Sequence, residues 1–69
     1  MTNRKAIATI ETEIGTMTIY YNGAGEEMTA ERGEHVEEIG YTPKSYDDAA
    51  DAVHAMYSTG PWGLEWIED

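Results

Sequence analysis

Between residues 6 and 22, apolar and polar side chains alternate on both sides of Gly15-Thr16. A two-residue period belongs to a strand, not a helix. Glycine reaches positive φ without steric cost, so Gly15-Thr16 suits the centre of a type II′ turn. Closing the chain there sets Ile14 opposite Met17, Thr12 opposite Ile19 and Ile10 opposite Tyr21. That face is nearly all apolar, whereas Thr9, Glu11, Glu13, Thr18 and Tyr20 point the other way. The Ile, Thr and Tyr content also fits a pleated surface. The expected frame is therefore an N-terminal hairpin over about 6–22.

A second element starts at Ser45. Its hydroxyl can accept from a free backbone N–H, and Asp47 and Asp48 follow at the positive end of a helix dipole. Tyr46, Ala49, Ala50, Val53, Met56 and Tyr57 then form one apolar stripe at helical spacing. Gly60-Pro61 is a stop signal. The pattern predicts a helix over about 46–58 whose other face carries Asp47, Asp51, His54 and Ser58.

The acidic middle admits two readings. Thr29 could cap a short helix over about 30–39, with Val36 and Ile39 inward, although Gly33 inside it costs about 1 kcal/mol relative to Ala. A strand over 34–39 is the other reading. Leu64-Glu65-Trp66-Ile67 alternates weakly, consistent with a further strand beside the hairpin over about 64–67. The fold class is α+β: a small antiparallel sheet packed on one helix, in a single domain spanning residues 1–69.

Size narrows the class further. A chain of 69 residues lies near the lower limit for an independent core, and without cysteine it has no disulfide or thiolate metal site. Scaffolds of this kind rarely exceed about 3–5 kcal/mol of stability. Apolar residues make up 41%, too many for a disordered acidic tail. No apolar run approaches a membrane span, and Met1-Thr2-Asn3-Arg4-Lys5 does not open a signal peptide. An intracellular monomer or weak dimer is expected.

Catalytic and metal chemistry find little support. Asp51, His54 and Ser58 share a helix face, but a triad also needs a base held between its partners and an oxyanion site. His35 and His54 are the only histidines, too few for zinc without cysteine. The carboxylates lack calcium-loop spacing, and Gly23, Gly25 and Gly33 form no phosphate loop. No catalytic residue, metal ligand or cofactor is assigned.

The remaining signal is charge. Fourteen Asp and Glu face four Lys and Arg, for a net charge of −10. The first 25 residues balance Glu11 and Glu13 against Arg4 and Lys5. The next stretch sets Glu26, Glu27, Glu31, Glu34, Glu37, Glu38, Asp47, Asp48 and Asp51 against Arg32 and Lys44. Glu65, Glu68 and Asp69 close the chain. Such a field repels phosphate, so direct nucleic-acid binding is disfavoured. It also works against the compact state. A solubilising surface is one explanation. The sharper one is that these nine carboxylates copy nucleic-acid phosphates and enter a Lys/Arg-lined groove. A compact domain of this length spans about 28 Å. Duplex DNA of that length carries about 16 charges. Trp62, Trp66, Tyr20 and Tyr41 are candidate anchors, with a core role the simpler expectation for Trp66.

In size, charge and element order the chain resembles the small acidic anti-CRISPR proteins of phages and mobile elements. The resemblance rests on the Ile10–Tyr21 hairpin, the Glu26–Asp51 acidic block and the Ser45 helix. It implies a DNA mimic in the cytoplasm of a bacterial host. The partner it implies is a basic, nucleic-acid-binding subunit of a CRISPR surveillance complex, a type I Cascade such as type I-C, though the residues do not choose the subtype. Two alternatives remain. One is an acidic module for another partner, antitoxin-like or an inhibitor of a restriction enzyme or other DNA-binding protein. The other is the acidic housekeeping domain of a halophile.

Overall fold

The alternation of residues 6–22 does produce a hairpin, but its turn lies two residues earlier than Gly15-Thr16. The computed structural model describes residues 4–58 and 63–67. Strands β1 (Lys5–Thr12) and β2 (Gly15–Tyr21) pair with Thr12 opposite Gly15 and Ile10 opposite Met17, leaving Glu13-Ile14 as the turn. Among the described residues no non-glycine has positive φ, so this is not a primed turn; Gly15, at φ 126, flanks it. The Thr12 hydroxyl closes the turn by accepting from the Ile14 N–H and donating to the Gly15 carbonyl. Because the slip is an even number of residues, each side chain keeps its face. Ile10, Met17 and Ile19 remain inward, and Ile14 moves from the expected core to 71% exposure.

A β-bulge between Ala6 and Ala8 adds a refinement. Two residues then oppose one across the ladder, so Ile7 and Ala8 are both fully buried.

The 30–39 segment is not helical. It forms a second hairpin of β3 (Thr29–Arg32) and β4 (His35–Glu38) around Gly33-Glu34. Gly33 has φ 62 at the first central position, where a II′ turn wants glycine. The glycine that argues against a helix is thus the turn residue, and the strand reading over 34–39 overlaps β4. Val36, expected inward, is 56% exposed, whereas Ile39 packs on the core.

Helix α1 (Tyr46–Tyr57) matches expectation, with the Asp48 N–H donating to the Ser45 hydroxyl at 3.2 Å. It closes at Ser58; Gly60-Pro61 lies outside the described residues. After it, β5 (Gly63–Trp66) pairs with β1, as the C-terminal alternation implies. The antiparallel sheet runs β4-β3-β2-β1-β5: four strands meander, and the chain then crosses by α1 to the opposite edge.

The core lies between α1 and one sheet face. It joins Ile7, Ala8, Ile10 and Ile19 of the first hairpin to Ala49 and Val53 of α1. Met28 and Ala30 complete it from inside the acidic segment. Trp66 belongs to the inner row with Ala8 but sits at the sheet edge, 43% exposed, so the expected core role does not hold. No helix among the described residues is long and apolar enough to cross a membrane.

Candidate protein-interaction surface

Side chains opposite one another in a ladder share a face. One row on the face away from α1 runs Val36, Glu31, Thr18, Thr9, Glu65 across all five strands. A second row runs Glu38, Thr29, Tyr20, Ala6. The nine candidate carboxylates therefore do not form one block. Glu31 lies in the outer row and pairs with Arg4, whose guanidinium stacks 3.7 Å from the Tyr20 ring centroid. Its charge is compensated, and Tyr20 is committed to the same contact.

The other eight fall into two groups. Glu26 and Glu27 precede β3, Glu34 is in the β3–β4 turn, and Glu37 and Glu38 are on β4. Asp47, Asp48 and Asp51 occupy the first half of α1. The carboxylates of Glu26, Glu34, Asp47 and Asp51 meet no hydrogen-bond or ion-pair partner among the described residues.

Two contacts define the local electrostatics. The ladder continues past β3 and β4, with the Ile39 N–H donating to the Met28 carbonyl and the Met28 N–H to the Tyr41 carbonyl. This brings the Glu27 and Glu38 carboxyls together. A hydrogen bond with Glu38, some burial and the Glu38 charge hold the Glu27 pKa above its ordinary value, opposed by the Gly40 N–H. The second contact is at Asp48. Its carboxylate accepts from the Lys44 N–H and the Tyr41 hydroxyl, each at 2.9 Å, and these bonds hold its pKa below the ordinary value. The same bond raises the Tyr41 pKa.

Glu37, opposite Ala30, lies on the inner face, apart from Glu31 and Glu38 on the outer one. A groove of about 970 Å³ opens where α1 leaves β3 and β4 uncovered, lined by Met17, Ala30, Arg32, Glu37, Ile39 and Tyr57 among others. Burial first, and the Glu37 charge second, raise the Tyr57 pKa. His35 pairs with Glu37 at 3.0 Å.

The polar residues of α1 stay apart: Asp51 and His54 are exposed, and no hydrogen bond joins the side chains of Asp51, His54 and Ser58. Among the described residues no group of three or more His, Asp and Glu could hold a metal ion. Of the candidate anchors, Tyr41 is bound to Asp48, and Trp62 lies outside the described residues. Sequence reading missed Glu65 as a member of the outer row with Glu31; the weak alternation of 64–67 carried that signal. Comparison with protein-family models, curated proteins and solved structures finds no match.

Proposed function

We propose that this chain is a protein inhibitor that presents carboxylates in place of nucleic-acid phosphates. The observation that carries the reading is the ladder running from Thr29–Glu38 on to Met28 and Ile39, which sets Glu27 beside Glu38 and accords with the raised Glu27 pKa. Two carboxyls held together disfavour the charged folded state, and a surface built only for solubility gains nothing from that placement. A basic groove would relieve it. The exposed charges of Glu26, Glu34, Asp47 and Asp51 add to the same field. The long dimension of 33 Å matches a duplex segment carrying about 19 charges, against −10 here.

The target class that suits this surface is a Lys/Arg-lined channel that reads duplex or displaced single strand. A CRISPR surveillance complex of the type I Cascade class offers one. The chain would then act as an anti-CRISPR inhibitor by occupying that channel, with no catalytic step of its own.

The test is capture of partners by the tagged chain from a CRISPR-bearing bacterial lysate, with DNA competition on whatever is recovered. The expected result is Cascade subunits released by duplex DNA. Recovery of a restriction enzyme or a toxin instead would overturn the CRISPR assignment. A partner that holds DNA and this chain together would overturn mimicry itself.

A further inference from the structure

β4 forms one rim of the sheet. Backbone phase shows which of its groups are open. His35 and Arg32 flank a two-residue turn, the position where an antiparallel pair exchanges both hydrogen bonds. Alternation makes Ala30 and Glu37 the next bonded pair, and leaves Glu31–Val36 and Thr29–Glu38 unbonded. The Ile39 N–H on the Met28 carbonyl, at 3.0 Å, keeps the same phase. The N–H and C=O of Val36 and Glu38 therefore point away from β3. Among the described residues no strand lies beyond β4 to pair with them.

All four β4 residues are exposed. An unpaired edge is a template for strand addition, and charge decides what can be added. A second copy would bring Glu37, Glu38 and a net charge of −10 to the same seam, where like charges oppose pairing. A basic strand meets the opposite situation. On the outer face it finds Glu38 beside the apolar Val36, and on the inner face Glu37 together with its partner His35.

The geometry points to β4 as the acceptor of an extended Lys- or Arg-rich segment of the partner. This segment adds as a sixth strand, bonded through the backbone of Val36 and Glu38. The inference rests on the basic partner proposed above and specifies how that partner is gripped. Charge brings the segment in; the backbone groups fix its register.

The test uses a short blocked peptide in which every second residue is Lys, and the same peptide N-methylated on alternate amides. Methylation removes donors and keeps the charge. The matching change in the protein is Val36→Pro, which deletes an N–H facing solvent and leaves the β3–β4 ladder and net charge alone. Expected results are binding of the unmodified peptide, and loss of about tenfold or more with either change. Hydrogen exchange at the Val36 and Glu38 amides should also slow in the complex. The methylated peptide, tested on the unchanged protein, does not depend on how the proline variant folds.

Equal binding of both peptides would overturn strand addition. If Glu37→Gln/Glu38→Gln then still weakens binding, the acidic-surface reading survives alone. If that variant binds undiminished as well, both readings fall. A dimer of the free protein that Val36→Pro dissociates would make the added strand a second copy and overturn the proposal.

Discussion

The hydroxyl of Tyr41 donates to Oδ1 of Asp48 at 2.9 Å, tying the segment that leaves the sheet to the first turn of the helix that covers it. Oδ2 accepts from the Lys44 N–H, and the Asp48 N–H donates to Ser45. The carboxylate is thereby fixed at the N-terminus of α1, where the helix dipole favours it. Asp48 has a lowered pKa in the folded state, so its stabilising contribution is full above the ordinary aspartate range. That contribution is lost as pH falls through the folded value. Asp48→Asn should therefore be less stable than the parent at neutral pH, with the gap closing in acid. Urea denaturation across that range checks it; a gap independent of pH would contradict the assignment.

Glu27 carries the opposite sign. Its raised pKa makes its contribution full below the ordinary glutamate range and lost as pH rises through the folded value. Glu27→Gln, which copies the protonated form, should match the parent in acid and exceed its stability at neutral pH. Paired denaturation curves at the two pH values read this directly.

The hairpin register can be tested by two isoleucines. Ile10 is fully buried, so Ile10→Ala should cost about 2–5 kcal/mol, comparable with the whole stability of a small scaffold. Ile14 sits in the turn at 71% exposure, and Ile14→Ala should stay within about 0.5 kcal/mol. A turn at Gly15-Thr16 would make both changes severe. Thermal melts of the two variants separate the registers.

Gly33→Ala should destabilise by about 1–2 kcal/mol, because an L side chain resists the φ of 62 found there. The loss is conformational, since no atom lies within 4 Å of the added Cβ. Gly25→Ala, at φ 78 in a loop, tests whether the cost is general to such positions or larger where a hairpin depends on the turn.

Binding to a purified basic partner should fall steeply between about 50 and about 200 mM salt. Converting Glu34, Glu37 and Glu38 to Gln together should flatten that dependence while leaving the fold intact. Glu31→Gln should have less effect on binding, because Arg4 already neutralises Glu31. Titrations at several salt concentrations distinguish the two variants.

Much of the fold was legible from pattern. Ser45, the first-turn aspartates and the apolar stripe specify α1 because capping and helical spacing are local properties. The faces of β1 and β2 were legible for the same reason, but their register was not. Alternation is unchanged by a slip of two, and the Thr12 hydroxyl that closes the real turn is a weaker signal than a glycine. The second hairpin was hidden by composition. Ala30, with Met28 just before the strand, is all that it buries among many carboxylates, and the helical spacing of those carboxylates is incidental. The candidate charges all come from 26–51, but their grouping depends on pairing across the sheet. Only the register reveals that Glu31 belongs to Arg4 and Glu27 to Glu38.

The Glu13-Ile14 turn makes the length of this molecule adjustable in steps. Inserting or deleting residues there in pairs moves the tip of the hairpin along its axis without exchanging inside for outside. A single-residue change would turn one strand over and expel Ile10 or Met17 from beneath the helix. Homologous chains that differ in length at this tip should therefore differ by even numbers, or carry a new bulge that restores parity.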